Sequence, residues 1–143
     1  MPQIKIFFDS DVVISSLISE LGAAHYLLNR AENLKLIISN YSEKELKIVC
    51  TRLDISQAKL NKLVKEKFEF IKIDKSIKEI QHQFKDYTID PNDAHIVAGA
   101  EFSQAKFLIT YNLKHFKVDK IKKDLKVNIL TPANLLQYLR SLS

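Results

Sequence analysis

The chain has 143 residues, the size of one domain and enough to bury a core without disulfides or structural metals. Apolar residues make up 46% and charged residues 27%, the balance of a soluble globular protein, and no apolar run approaches the roughly 20 residues that span a bilayer. The formal net charge of +5 and pI near 9.2 favour contact with phosphate backbones through a sequence-independent term, although lysine-rich helix faces are also simply solvated.

No charged-then-apolar leader opens the chain, so a cytoplasmic protein with no membrane partner is expected. The single cysteine, Cys50, cannot form an internal disulfide, and its place in the helical pattern Leu46, Val49, Cys50, Leu53 marks it as a small core residue. With only 2 glycines and 3 prolines there is no linker, repeat or low-complexity tract, and residues 1–143 read as one domain.

Strand-like apolar runs alternate with amphipathic stretches. In chain order, Gln3 to Phe8 predicts a first strand, and helices follow from Val12 to Ser19 and from Ala23 to Ala31. Lys35 to Ser39 predicts a second strand. A helix then starts at Ser42, with Glu45 completing a capping box, and runs to about Leu53; Ser56 caps another that reaches about Phe68. Phe70 to Ile73 is the third strand, followed by a helix from Ser76 with Ile77, Ile80 and Phe84 on one face. Asp90 reads as an N-cap with Pro91 in the first helical position and Ile96, Val97 and Ala100 facing the core. Phe107 to Thr110 and Val127 to Leu130 are the last strands, and Pro132 begins a final helix carrying Leu135, Leu136 and Leu139. This alternation implies an open parallel α/β sheet with helices on both faces.

Acidic residues fall where such a fold gathers ligands, outside the carboxyl ends of the strands. Asp9 follows the first strand, and either it or Ser10 also suits a helix cap; Asp11 is placed to support the same point. Glu45 taken alone reads as a capping-box glutamate before a ligand, with Glu43 as a fallback ligand. Asp90 is better placed to cap, leaving Asp93 as the ligand candidate of that cluster, while His95 reads as a packed or solvated helix residue. Thr110 and Asn112 end the fourth strand, which in the inferred sheet lies beside the first and therefore beside Asp9; a turn asparagine is the alternative for Asn112. Lys114, His115, Lys117, Lys120, Lys122 and Lys123 form a basic flank that suits a phosphodiester substrate.

Four pieces then add up in order: Phe8-Asp9-Ser10-Asp11-Val12-Val13-Ile14-Ser15, Ser39 through Glu45-Leu46, Asp90-Pro91-Asn92-Asp93, and Leu108 through Phe116. Together, over about residues 3 to 131, they resemble the PIN-domain family. The resemblance implies a five-stranded parallel sheet ordered 3-2-1-4-5 and an Mg2+- or Mn2+-dependent ribonuclease. It also implies a toxin of VapC type, held by a cognate antitoxin and commonly dimeric. Carried over by position, Asp9, Glu45 and Asp93 are its metal-binding carboxylates, with Asn112 completing the catalytic set and Ser10, Asp11, Thr110 and Lys114 meeting substrate. The chain has Asp11 where the family often has asparagine, and Asn112 where many members have a fourth aspartate; Thr110-Tyr111-Asn112-Leu113-Lys114 resembles the Thr-x-Asn-Leu-Lys subfamily. A degenerate domain that only binds RNA or protein is the competing reading. Asp9-Ser10-Asp11-Val12 also resembles the nucleophile motif of haloacid-dehalogenase-type phosphatases, but there the acidic pair follows the Ser/Thr strand end, whereas Asp90 and Asp93 precede Thr110.

Overall fold

Five short, nearly continuous apolar runs become five parallel strands in a computed structural model, which describes residues 3–30 and 32–142. They are β1 (Ile4–Phe8), β2 (Leu34–Ser39), β3 (Glu69–Ile71), β4 (Phe107–Ile109) and β5 (Asn128–Leu130). Their order is β3-β2-β1-β4-β5, and every pairing is parallel. This is the single α/β domain and the strand order that the sequence predicts.

Among the described residues, eight helices connect and cover the sheet: α1 (Ser10–Ile18), α2 (Ala23–Arg30), α3 (Asn40–Arg52), α4 (Gln57–Lys67), α5 (Ile77–Phe84), α6 (Ala94–Phe102), α7 (Val118–Leu125) and α8 (Pro132–Ser141). Single 3-10 turns occur at Lys85–Tyr87, Pro91–Asp93 and Leu113–His115. Alternation along the strands divides the core. Ile6, Phe8, Leu36, Ile38, Phe107 and Ile109 pack against α1, α2, α3, α4 and α8, where Cys50 is fully buried as expected. Phe7, Ile37, Leu108 and Ile129 face α5, α6 and α7 on the other side. No single helix among the described residues is long and apolar enough to cross a membrane.

Three expectations change. The third helix begins at Asn40, not Ser42, because Ser39 is its cap: the Ser39 hydroxyl accepts from the Ser42 backbone N–H at 3.1 Å. Glu45 therefore lies beyond the first turn and has no capping role. The segment after Pro91 is first a 3-10 turn, capped by Asp90 Oδ1 accepting from Asn92 N at 2.9 Å, and α6 proper starts at Ala94. Finally, residues read as a basic flank form α7, whose apolar Val118, Ile121 and Leu125 sit at helical spacing and whose end is Lys126 in the left-handed conformation, φ 61°. Ala31, expected on the buried face of α2, lies outside the described residues.

One close approach sets how α6 lies on β1. A Cβ built at Gly99 would stand 2.2 Å from Cζ of Phe7, whose side chain is wholly buried, so only glycine lets the helix come this near. Replacing Gly99 with alanine should destabilise the domain by about 1–3 kcal/mol through overpacking, despite alanine's better helix propensity. Chemical denaturation measures this, and an unchanged or higher midpoint would show that the ring moves aside at no cost.

Candidate active site

The sheet order turns back between β1 and β4, and that crevice is where open α/β sheets collect ligands. Asp9 stands at its mouth. Its backbone N–H donates to Ile109 O at 2.9 Å, prolonging the β1–β4 pairing past the end of both strands. Its carboxylate accepts from Ser10 N at 2.7 Å and from the fully buried Thr110 hydroxyl at 2.8 Å. Asp9 is thus both the cap of α1 and a fixed, inward-facing acid. The two readings of this residue are compatible.

Asp11 ties the start of α1 to the loop after β4. Its Oδ2 accepts from Tyr111 N at 3.0 Å and from the Asn112 side-chain amide at 3.1 Å. Asn112 in turn donates its backbone N–H to Thr110 Oγ1 at 3.0 Å. The Asn112 amide nitrogen is thereby turned toward Asp11, which leaves its oxygen available to the cleft.

Glu45 comes from the second turn of α3, and His95, 6% exposed on α6, reaches it: Nε2 to Oε2 is 3.1 Å. His95 Nδ1 is buried with no hydrogen-bond partner, so the Glu45 carboxylate is the polar group this ring meets through Nε2. Burial alone would raise the Glu45 carboxyl, but the His95 hydrogen bond and, next, the nearby Ser10 hydroxyl leave it below its ordinary value. Ser10 Oγ itself is buried without a well-formed hydrogen bond. Asp93, at the base of α6, makes no cap hydrogen bond and lies 3.5 Å from His115 Nδ1.

Asp9, Ser10, Asp11, Glu45, Asp93, Asn112 and His115 line one cleft of about 360 Å3 with Ile14 and Val49. Burial, then the charge of Asp11, pushes Asp9 up to about 8. Burial raises Asp11 against its hydrogen bonds, and Asp93 is raised by burial first and by Asp90 and Glu45 further, against the pull of His115. The only basic side chains paired with the four acids, among the described residues, are His95 and His115. An unmatched set of hard oxygen ligands, with Asp11 Oδ1 buried and unpartnered, fits a divalent cation. Among the described residues no three acidic, histidine or cysteine side chains stand close enough to enclose one, so such an ion would take its remaining ligands from water and phosphate.

Of the residues picked out in sequence, Asp9, Ser10, Asp11, Glu45, Asp93 and Asn112 line this cleft, and Thr110 anchors it from below. Lys114 is exposed on the adjoining turn, while its neighbour His115 lines the cleft. The far part of the basic flank, Lys122 and Lys123, does not stay beside the acids. Helix α7 runs back along the sheet, so Lys122, Lys123 and Lys126 gather around Asn128 at the opposite end, where β5 starts. His95 and His115 were the residues that patterns undervalued. His95 interrupts the apolar stretch Ala94, Ile96, Val97, Ala98, and a polar side chain so placed needs a buried partner.

A model of the PIN domain family matches residues 5–114, which contain every residue lining the cleft except His115. The chain belongs to the PIN domain family. No curated protein matches it. Among solved structures, it is similar to VapBC2 from Rickettsia felis bound to a promoter DNA fragment, at 17% identity and TM-score 0.63 over 90% of this chain and 98% of that one. A toxin-antitoxin complex from Klebsiella pneumoniae gives 23% and 0.63 over 89% and 97%. VapBC-1 from nontypeable Haemophilus influenzae gives 16% and 0.62 over 91% and 99%. At these identities the likeness speaks for the fold alone.

A carboxyl raised by folding favours the folded state while protonated and opposes it once ionised. The metal-free PIN domain should therefore lose stability as pH rises from the ordinary carboxyl range, near 3.8, through about 8. Asp9→Asn removes this liability and should gain about 1–3 kcal/mol relative to wild type between acid and alkaline pH, less than the full shift implies because neighbours relax. Thermal melts in chelator at several pH values test it; parallel pH profiles would show that Asp9 ionises freely.

Proposed function

We propose that this PIN domain is an Mg2+- or Mn2+-dependent endoribonuclease and the toxin of a toxin-antitoxin pair. The observation that carries the reading is the convergence of Asp9, Glu45 and Asp93 on one cleft, with burial raising two of the three and, among the described residues, no lysine paired with any of them. Family membership supports nuclease chemistry, and the toxin-antitoxin complexes among the similar folds support an antitoxin partner. A homodimer in the cytoplasm, and placement in the Thr-x-Asn-Leu-Lys branch, complete the proposal.

In this reading Asp9, Glu45 and Asp93 hold the cation. When bound, it lowers the pKa of a coordinated water and neutralises charge on the phosphate. The protein's own contribution is position. Thr110 and Ser10 N keep both oxygens of Asp9 aimed into the cleft, and Asp11 locks the Tyr111–Asn112 backbone against α1. His95 holds Glu45 on the wall formed by α3. Ser10 and Asn112 offer polar atoms to the substrate, and exposed Lys114 meets the RNA backbone outside the cleft without reading its sequence. Hydrolysis adds water across one P–O bond and leaves a phosphate on one fragment and a hydroxyl on the other.

With Mn2+ present, wild type should cleave RNA, and Asp9→Ala and Asp93→Ala should fall to background in a gel assay; full activity in both would refute the assignment. His95→Leu should weaken Mn2+ binding about 10–100-fold, as loss of a ligand's supporting partner does, and His95→Gln, which can restore a donor, should recover part of it. Calorimetric titration reads this directly, and equal affinity in all three proteins would remove His95 from the site.

A further inference from the structure

A second cleft, of about 480 Å3, opens from the acidic one. The two share Glu45 and Val49 as a common wall. The second lies between α3 and α5 and is lined by Tyr41, Ile48, Arg52, Ile77, Gln81 and Asn92 over the buried His95. Its composition differs from that of the acidic cleft. Ile48 and Ile77 are 59% and 39% exposed, large apolar side chains left in solvent on facing helices. The side chains of Arg52, Gln81 and Asn92 carry no hydrogen bond or ion pair within the described residues, while the Asn92 backbone is already fixed by Asp90. Tyr41 is held in place by donating its hydroxyl to Lys75 O, so its ring is a fixed part of the groove.

We propose that this groove is a nucleobase subsite, which seats the base of a nucleotide flanking the phosphodiester bond to be cut. The inference rests on the nuclease reading and extends it to substrate recognition. A planar base has two apolar faces and a polar edge. Ile48 and Ile77 can cover the faces, the free amides of Gln81 and Asn92 can read the edge, and Arg52 supplies the cation for the next phosphate. Single-stranded RNA is recognised through unstacked bases held in this manner. The shared Glu45 and Val49 wall sets the groove directly beside the acids. A protein segment would suit it less, because three unpaired polar groups surround only two exposed isoleucines.

The test is 15N NMR of the metal-free protein titrated separately with 5′-AMP, 5′-CMP, 5′-GMP and 5′-UMP, followed by mapping of RNA cleavage sites. The side-chain amides of Gln81 and Asn92 should shift, with affinities that differ among the four nucleotides. Arg52→Ala and Ile48→Asp, both at exposed positions, should weaken this binding about fivefold or more while preserving the spectrum elsewhere. Gln81→Ala and Asn92→Ala should change which bases flank the cleaved bonds. Shifts confined to Asp9 and Asn112, or absent everywhere, overturn the subsite. Perturbation of Ile48 and Ile77 by a protein partner with no response to any nucleotide overturns it as well. If the groove responds as expected but wild type cleaves no RNA with Mn2+, the nuclease reading fails while base binding stands.

Discussion

Burial of Asp9 is the constraint around which the molecule is arranged. An acid 8% exposed, at the junction of the two central strands, is expensive to ionise unless something meets its charge. The fold meets it with hydrogen bonds from Ser10 and Thr110, yet adds Asp11 beside it and brings Glu45 and Asp93 to the same cleft. Those additions worsen the electrostatics of the protein alone. In the proposed nuclease they would be half of a site whose other half is a cation.

Each element contributes through a local reason. Ser39 caps α3, which moves Glu45 off the first turn and turns it toward α6. Asp90 caps the turn before α6, which frees Asp93. Gly99 lets α6 settle onto Phe7, and this depth is what carries Asp93 and His95 up to the rim. The site is therefore sensitive to packing several residues away from any carboxylate.

The sheet was legible in the sequence because doubly covered strands are short, apolar and bounded by helical periodicity, and the order 3-2-1-4-5 followed from the family resemblance. The acids were legible as candidates only. Capping and ligation use the same residue types at the same places, and Glu45 could be separated from a capping box only by seeing that Ser39, rather than Ser42, begins the helix. Helix α7 was hidden by its lysines, which drew attention to charge while Val118, Ile121 and Leu125 marked a buried stripe. His95 escaped because a single buried histidine reveals its purpose only through a partner, and that partner lies 50 positions away.

That kind of distance has a further meaning. The hydrogen bond from Thr110 to Asp9 joins residues 101 positions apart, and the pairing of β1 with β4 depends on the same late segment. During translation Asp9 and Asp11 leave the ribosome long before Thr110 exists, and the cleft closes only after β4 has emerged and docked. A growing polypeptide of this kind carries no assembled acidic centre for most of its synthesis. The late arrival of one strand thus delays the finished site until β4 has docked on β1.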